Sequence, residues 1–149
     1  MHTMLSSLIA GATNLYLRLV RATSRINIGG EAQSGDFLGY WHGESMLMML
    51  IMGQLPDMAG QASVIVTADS RGDVIEKVLS KYAARSIRVH DGLSARHALK
   101  DIKRECSDES RIVATALDGP TGPYKQPKQL LIRMAERQGR GLIVAGFVC

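Results

Sequence analysis

The sequence predicts an α/β domain, a largely parallel or mixed sheet flanked by helices and preceded by an amphipathic N-terminal helix, on three observations. From Asp36 onward, short apolar runs alternate with helical patterns, as βα units require. Polar clusters rich in Gly, Asp and Ser fall at the joints between them. A chain of 149 residues with 46% hydrophobic and 21% charged residues suits one such domain.

The first element spans residues 1–28, and the α/β domain spans 29–149. Leu5, Leu8, Ile9, Ala12, Leu15, Tyr16 and Leu19 recur at helical spacing and form one apolar stripe. Asn14, Arg18, Arg21 and Arg25 fall on a different face. Two uses of such a helix stand open: lying in the headgroup region of a bilayer, or packing its stripe on its own domain. Ala10-Gly11-Ala12 imitates a signal-peptide cleavage site, yet no Lys or Arg precedes the apolar stretch. Ser6, Ser7, Thr13, Asn14 and Arg18 interrupt it, whereas a spanning helix needs about 20 mostly apolar residues. Neither a cleaved signal nor a transmembrane helix is expected.

Strands are expected near 37–41, 63–68, 86–90, 111–117 and 141–147, with helices near 44–54, 71–84, 94–106 and 127–138. The sequence stops at Cys149, directly after a strand-like run where a covering helix usually follows. The expectation is a shortened domain or one completed by a partner.

Lys and Arg number 18 against 14 acids, and the formal charge of +4 favours anionic partners such as phosphates or acidic head groups. Aromatic content is 5%, and no basic run is interleaved with aromatics, so nucleic acid is not an expected partner. Cys106 and Cys149 lack metal-type spacing and make no disulfide framework, which points to a reducing cytoplasm.

Ligands of open parallel sheets gather at the carboxyl ends of strands, so the joints hold the candidate chemistry. His42 stands at a strand-to-helix corner and can act as a general base near neutral pH. Glu44 is the nearest carboxylate in sequence; it either orients His42 or complements the dipole of the following helix. The loop Asp118-Gly119-Pro120-Thr121-Gly122-Pro123 is the densest turn signal in the chain, and Lys125 and Lys128 follow it. Glycines let backbone N–H groups approach an anion, although neither a Walker loop nor Gly-x-Gly-x-x-Gly is present. Phosphate binding and a plain stiff loop both fit. Arg71 opens a helix and Arg88 lies in a strand; each either clamps a phosphate or makes surface ion pairs. His90 is a further acid–base candidate, and His97 reads as a surface or packed histidine.

Taken in order, Tyr40-Trp41-His42-Gly43, Ser70-Arg71-Gly72-Asp73-Val74-Ile75, Arg88 with Ala98-Leu99, and Asp118 through Pro123 form a recognisable set. It resembles a bacterial family of the lysophospholipid and glycerolipid acyltransferase superfamily over residues 30–149. Members carry a Trp-His-Gly corner, a Ser-Arg-Asp-Gly-like turn, an Arg-Gly-Ser-Ser segment and an Asp-Gly-Pro-x-Gly-Pro loop. The resemblance implies a glycerolipid acyltransferase-like fold and transfer of a fatty acyl group from acyl-coenzyme A or acyl carrier protein to a hydroxyl of a lysophospholipid or glycolipid. It implies a catalytic role for His42, with Glu44 able to replace the missing orienting carboxylate only where helix geometry permits, and substrate-binding roles for Arg71, Arg88, Asp118, Gly119, Thr121, Lys125 and Lys128. No metal and no tightly bound cofactor is implied; the place of action is the inner face of the cytoplasmic membrane, peripherally bound. The superfamily's usual His-x-x-x-x-Asp is not met, because Leu47 stands five residues after His42. Val89, His90 and Asp91 replace Gly-Ser-Ser, and Gln129-Leu130 stands where Pro-Gly is expected. A lipid- or phosphate-binding relative without activity, and a nucleotide-binding α/β protein, are the alternatives.

Overall fold

Strand and helix alternate along the chain as the apolar runs require. The computed structural model describes residues 2–30, 32–52, 54, 60–89, 100, 102–104, 106–119 and 122–148. Helix α1 (His2–Thr23) precedes strand β1 (Phe37–Tyr40), and a 3-10 turn (His42–Glu44) leads into α2 (Ser45–Met52). Strand β2 (Ala62–Thr67), helix α3 (Ser70–Leu79), a second 3-10 turn (Ser80–Tyr82) and β3 (Arg85–Val89) follow. Beyond them come β4 (Ile112–Ala116), α4 (Gln129–Gln138) and β5 (Leu142–Val144). Of the helix expected over 94–106, residues 100, 102–104 and 106 are helical; 94–99, 101 and 105 lie outside the described residues.

The five strands form one sheet in the order β3-β2-β4-β1-β5, and every described pairing is parallel. The chain leaves a slot between β1 and β2 that β4 later fills, pairing Tyr40 with Ala116 and Val64 with Ala114. The two strand ends that carry the His42 corner and the Asp118 loop are thereby neighbours.

Strand side chains alternate between the two faces, and each face has its own helices. Leu38, Tyr40, Ala62, Val64, Val66, Ile112 and Ala114 meet Met48 and Met52 of α2 and Leu79 of α3. Phe37, Ile87, Val113 and Leu117 meet Ile102, Cys106 and the α4 residues Leu131, Met134 and Ala135. Burying a side chain such as Phe37, which has no exposed surface, contributes about 1.5–3 kcal/mol. Gly39 is a point of close approach: a Cβ there would lie 2.7 Å from the Leu117 side chain.

Helix α1 packs on its own domain, but not through its apolar stripe. Ser6, Ala10, Asn14 and Leu17 are the buried residues, with Ala10 and Leu17 clustered against Met49, Leu50 and Val78. Small residues allow the helices to approach, and the Asn14 amide is satisfied by the Ala10 carbonyl at 2.8 Å. Arg21, on the face opposite the stripe with Asn14, is half-buried, donates to the Leu50 carbonyl and stands over the Tyr82 ring. Leu5, Leu8, Leu15, Tyr16 and Leu19 are exposed. Among the described residues no helix is long and apolar enough to cross a membrane.

Candidate functional site

The carboxyl edge of the sheet brings the His42 corner and the glycine loop into one hydrogen-bonded unit. Past the paired residues Tyr40 and Ala116, the Leu117 N–H donates to the Tyr40 carbonyl at 2.7 Å. Asp118 then turns inward and is 1% exposed. Its Oδ1 accepts the backbone N–H of His42 at 2.8 Å, and its Oδ2 accepts the backbone N–H of Lys125 at 3.2 Å. A buried carboxylate requires such donors, so Asp118 positions both loops at once.

The loop curls back over this edge. Gly119 and Gly122 have φ of +65°, a conformation that glycine adopts without strain. The Lys128 N–H donates to the Leu117 carbonyl at 2.7 Å, and a Cβ on Gly119 would come within 2.9 Å of the Lys128 ammonium. Tyr124 reaches the other way, its ring 3.3 Å from the point where a Cβ on Gly43 would stand. The Lys125 ammonium lies 5.3 Å from the centre of that ring. His42, Gly119, Lys125 and Lys128 thus share one edge. Thr121 and His90, with His97, lie outside the described residues.

Beneath this edge, between the sheet and helices α2 and α3, lies an apolar cavity of about 150 Å3. Met48, Met49, Met52, Val64, Ile75 and Leu79 contribute to its walls, while His42, Ser45 and Gly119 supply polar lining. Its mostly apolar walls suit small apolar groups, with the polar lining at one side. The Tyr40 phenol also lines it; burial pushes its pKa up to about 12, opposed by a hydrogen bond with Ser45, so it is a neutral hydroxyl at ordinary pH. Ser45 in turn donates to the His42 carbonyl at 2.6 Å.

His42 itself is exposed, and among the described residues its imidazole enters no ion pair with a carboxylate. Glu44 belongs to the 3-10 turn rather than to the first turn of α2, with its N–H donating to the Trp41 carbonyl at 2.8 Å. Its Oε2 is buried and has no hydrogen-bond partner among the described residues. A buried carboxylate oxygen in that condition is costly until a donor reaches it.

Arg71 and Arg88 stand at the adjoining strand ends and are engaged with carboxylates. Asp69 caps α3, accepting the N–H groups of Arg71 and Gly72 at 3.0 Å each, and binds the Arg71 guanidinium at 2.6 Å. The Gly72 N–H, with Arg71 behind it, holds the Asp69 carboxyl well below the usual carboxylate range. Gly72 is indispensable to this turn, because a Cβ there would stand 1.8 Å from the Thr67 carbonyl oxygen. Arg88 contacts Asp73 at 2.5 Å and Glu76 at 3.6 Å. These carboxylates compete with any phosphate for both guanidiniums.

Sequence reasoning missed Tyr40, Ser45 and the methionines of α2. The run Met46-Leu47-Met48-Met49-Leu50-Ile51-Met52 carried the signal, since unbranched thioether side chains line adaptable apolar spaces. Comparison with protein-family models, curated proteins and solved structures yields no match.

Proposed function

We propose that the chain transfers a fatty acyl group from an acyl thioester to a hydroxyl of a lysophospholipid or glycolipid acceptor. The observation that carries this reading is the position of His42, beside a methionine-lined cavity and next to the Lys125 and Lys128 loop. The cavity suits the first few carbons of an acyl donor's apolar chain, and the lysines suit the phosphate of the acceptor or of a phosphopantetheine arm. The donor in this reading is acyl-coenzyme A or acyl carrier protein.

His42 takes the proton of the acceptor hydroxyl as its oxygen attacks the thioester carbonyl. Collapse of the tetrahedral intermediate breaks the carbon–sulfur bond, and the imidazolium returns the proton to the leaving thiolate. Glu44 is the orienting carboxylate of this reading, in place of the aspartate that Leu47 displaces; its buried Oε2, unpartnered among the described residues, has to swing to the imidazole before it can serve. The chain acts in the cytoplasm, peripherally at the inner face of the cytoplasmic membrane, where such acceptors are found.

Thiol release from acyl-coenzyme A with lysophospholipid or lipid A-type acceptors tests the reading. Replacing His42 by Ala is expected to lower the rate about 10²–10⁴-fold. Equal inactivity of wild type and His42→Ala across a broad donor and acceptor panel overturns it. The second reading, a lipid- or phosphate-binding protein without turnover, is favoured by the absence of an ion pair on the His42 imidazole among the described residues. Vesicle binding without thiol release is its signature.

A further inference from the structure

Among the described residues nothing packs on the outward face of α1. Met4, Leu5, Leu8, Leu15, Tyr16 and Leu19 are each at least 57% exposed, along a helix of 22 residues, about 33 Å long. Isolated exposed apolar residues are ordinary, but a continuous stripe of this length marks a contact surface. The fold does not compete for it, because the opposite face already meets α2 and α3 through Ala10 and Leu17. Helix α1 is therefore fixed with its stripe turned outward.

Charge identifies the occupant. Residues 1–30 contain Arg18, Arg21 and Arg25 and no Asp or Glu, so this segment holds three of the positive charges behind the chain's excess of +4. Arg18 and Arg25 are exposed. Arg18 flanks the stripe on a helical wheel, and Arg25 follows just beyond the helix end. Apolar residues bounded by arginines match a bilayer surface, with acyl chains under the stripe and lipid phosphates at its rim. A second copy of α1 matches less well, since pairing stripe to stripe brings arginines together with no α1 carboxylate between them.

We infer that α1 is an in-plane anchor that inserts its outward apolar stripe into an anionic lipid bilayer while its inward face stays docked on α2 and α3. The inference goes beyond the acyl-transfer reading and does not depend on His42.

Flotation of the full chain with vesicles tests it, using phosphatidylcholine alone and an equal mixture of phosphatidylcholine and phosphatidylglycerol. Wild type is expected to float with the mixed vesicles and more weakly with phosphatidylcholine. The neutral double variant Leu8→Asn/Leu15→Asn is expected to lose at least about tenfold in partitioning while keeping its melting midpoint, because both positions face solvent in the folded protein. Replacing Arg18 and Arg25 by Gln should weaken binding to the mixed vesicles by about fivefold per residue and leave phosphatidylcholine binding nearly unchanged. His42→Ala is expected to float as wild type does. A wild-type chain that floats with neither vesicle overturns the inference, as does a neutral double variant that floats equally well. A wild-type dimer in solution that the double variant dissociates, with no vesicle binding by either, assigns the stripe to a second copy instead. Flotation without thiol release leaves this anchor standing and removes the acyl-transfer reading.

Discussion

Helices α1 and α4 are both amphipathic, and they solve the same packing problem in opposite ways. Helix α4 buries Leu131, Met134 and Ala135 against the sheet and presents Arg133, Glu136 and Arg137 to solvent. In α1 the buried positions are Ser6, Ala10, Asn14 and Leu17, while leucines at 5, 8, 15 and 19 face outward. Periodicity shows that a stripe exists; it does not show which way the stripe points. The partner's shape decides that. Helix α4 lies on an open sheet face that takes large side chains, whereas α1 approaches helices α2 and α3 through Ser6, Ala10 and Asn14 with one large side chain, Leu17.

The contrast can be broken most severely by trading equivalent leucines. Leu131→Ala in α4 is expected to cost about 2–5 kcal/mol in urea unfolding, whereas Leu15→Ala in α1 should stay within about 0.5 kcal/mol of wild type. Comparable losses at both positions would mean that the α1 stripe is buried in solution. A smaller effect is expected from filling the α1 seam: Ala10→Leu should destabilise by about 1–3 kcal/mol in the same assay, because a buried alanine at 4% exposure has no room for an isobutyl group. An unchanged midpoint would show that α1 is not held there.

The smallest effect concerns the platform under α1. Asp69→Ala removes the α3 cap and is expected to cost about 0.5–2 kcal/mol at neutral pH. The sign with pH follows from the depressed carboxyl. Its contribution is fully present above the unfolded pKa of about 4 and is lost as acidification proceeds through the lower folded value. The difference between wild type and Asp69→Ala should therefore shrink when unfolding is measured at successively lower pH below 4.

Most of the fold was legible because buried parallel strands write themselves as continuous apolar runs, as in Ile112-Val113-Ala114. All five strands fall where expected, although β5 is shorter and ends at Val144. The site was legible in parts. His42 and the Asp118 loop were both placed at strand ends, but their adjacency depends on β4 inserting beside β1, a pairing of residues 76 positions apart that no local pattern carries. The substrate-binding roles expected for Arg71 and Arg88 met competition from Asp69, Asp73 and Glu76. Asp73 and Glu76 lie three apart on one face of α3, a spacing that could have announced the acidic partner of Arg88.

Asp118 ties together two segments that lie 76 positions apart in the sequence. One carboxylate accepts from the backbone of the His42 corner and from the backbone of the lysine loop, so moving that carboxylate out of its buried position releases both. In amide exchange the His42 and Lys125 protons should then show a common opening free energy despite their separation along the chain. An anion gripping the loop would slow exchange at the histidine it never touches.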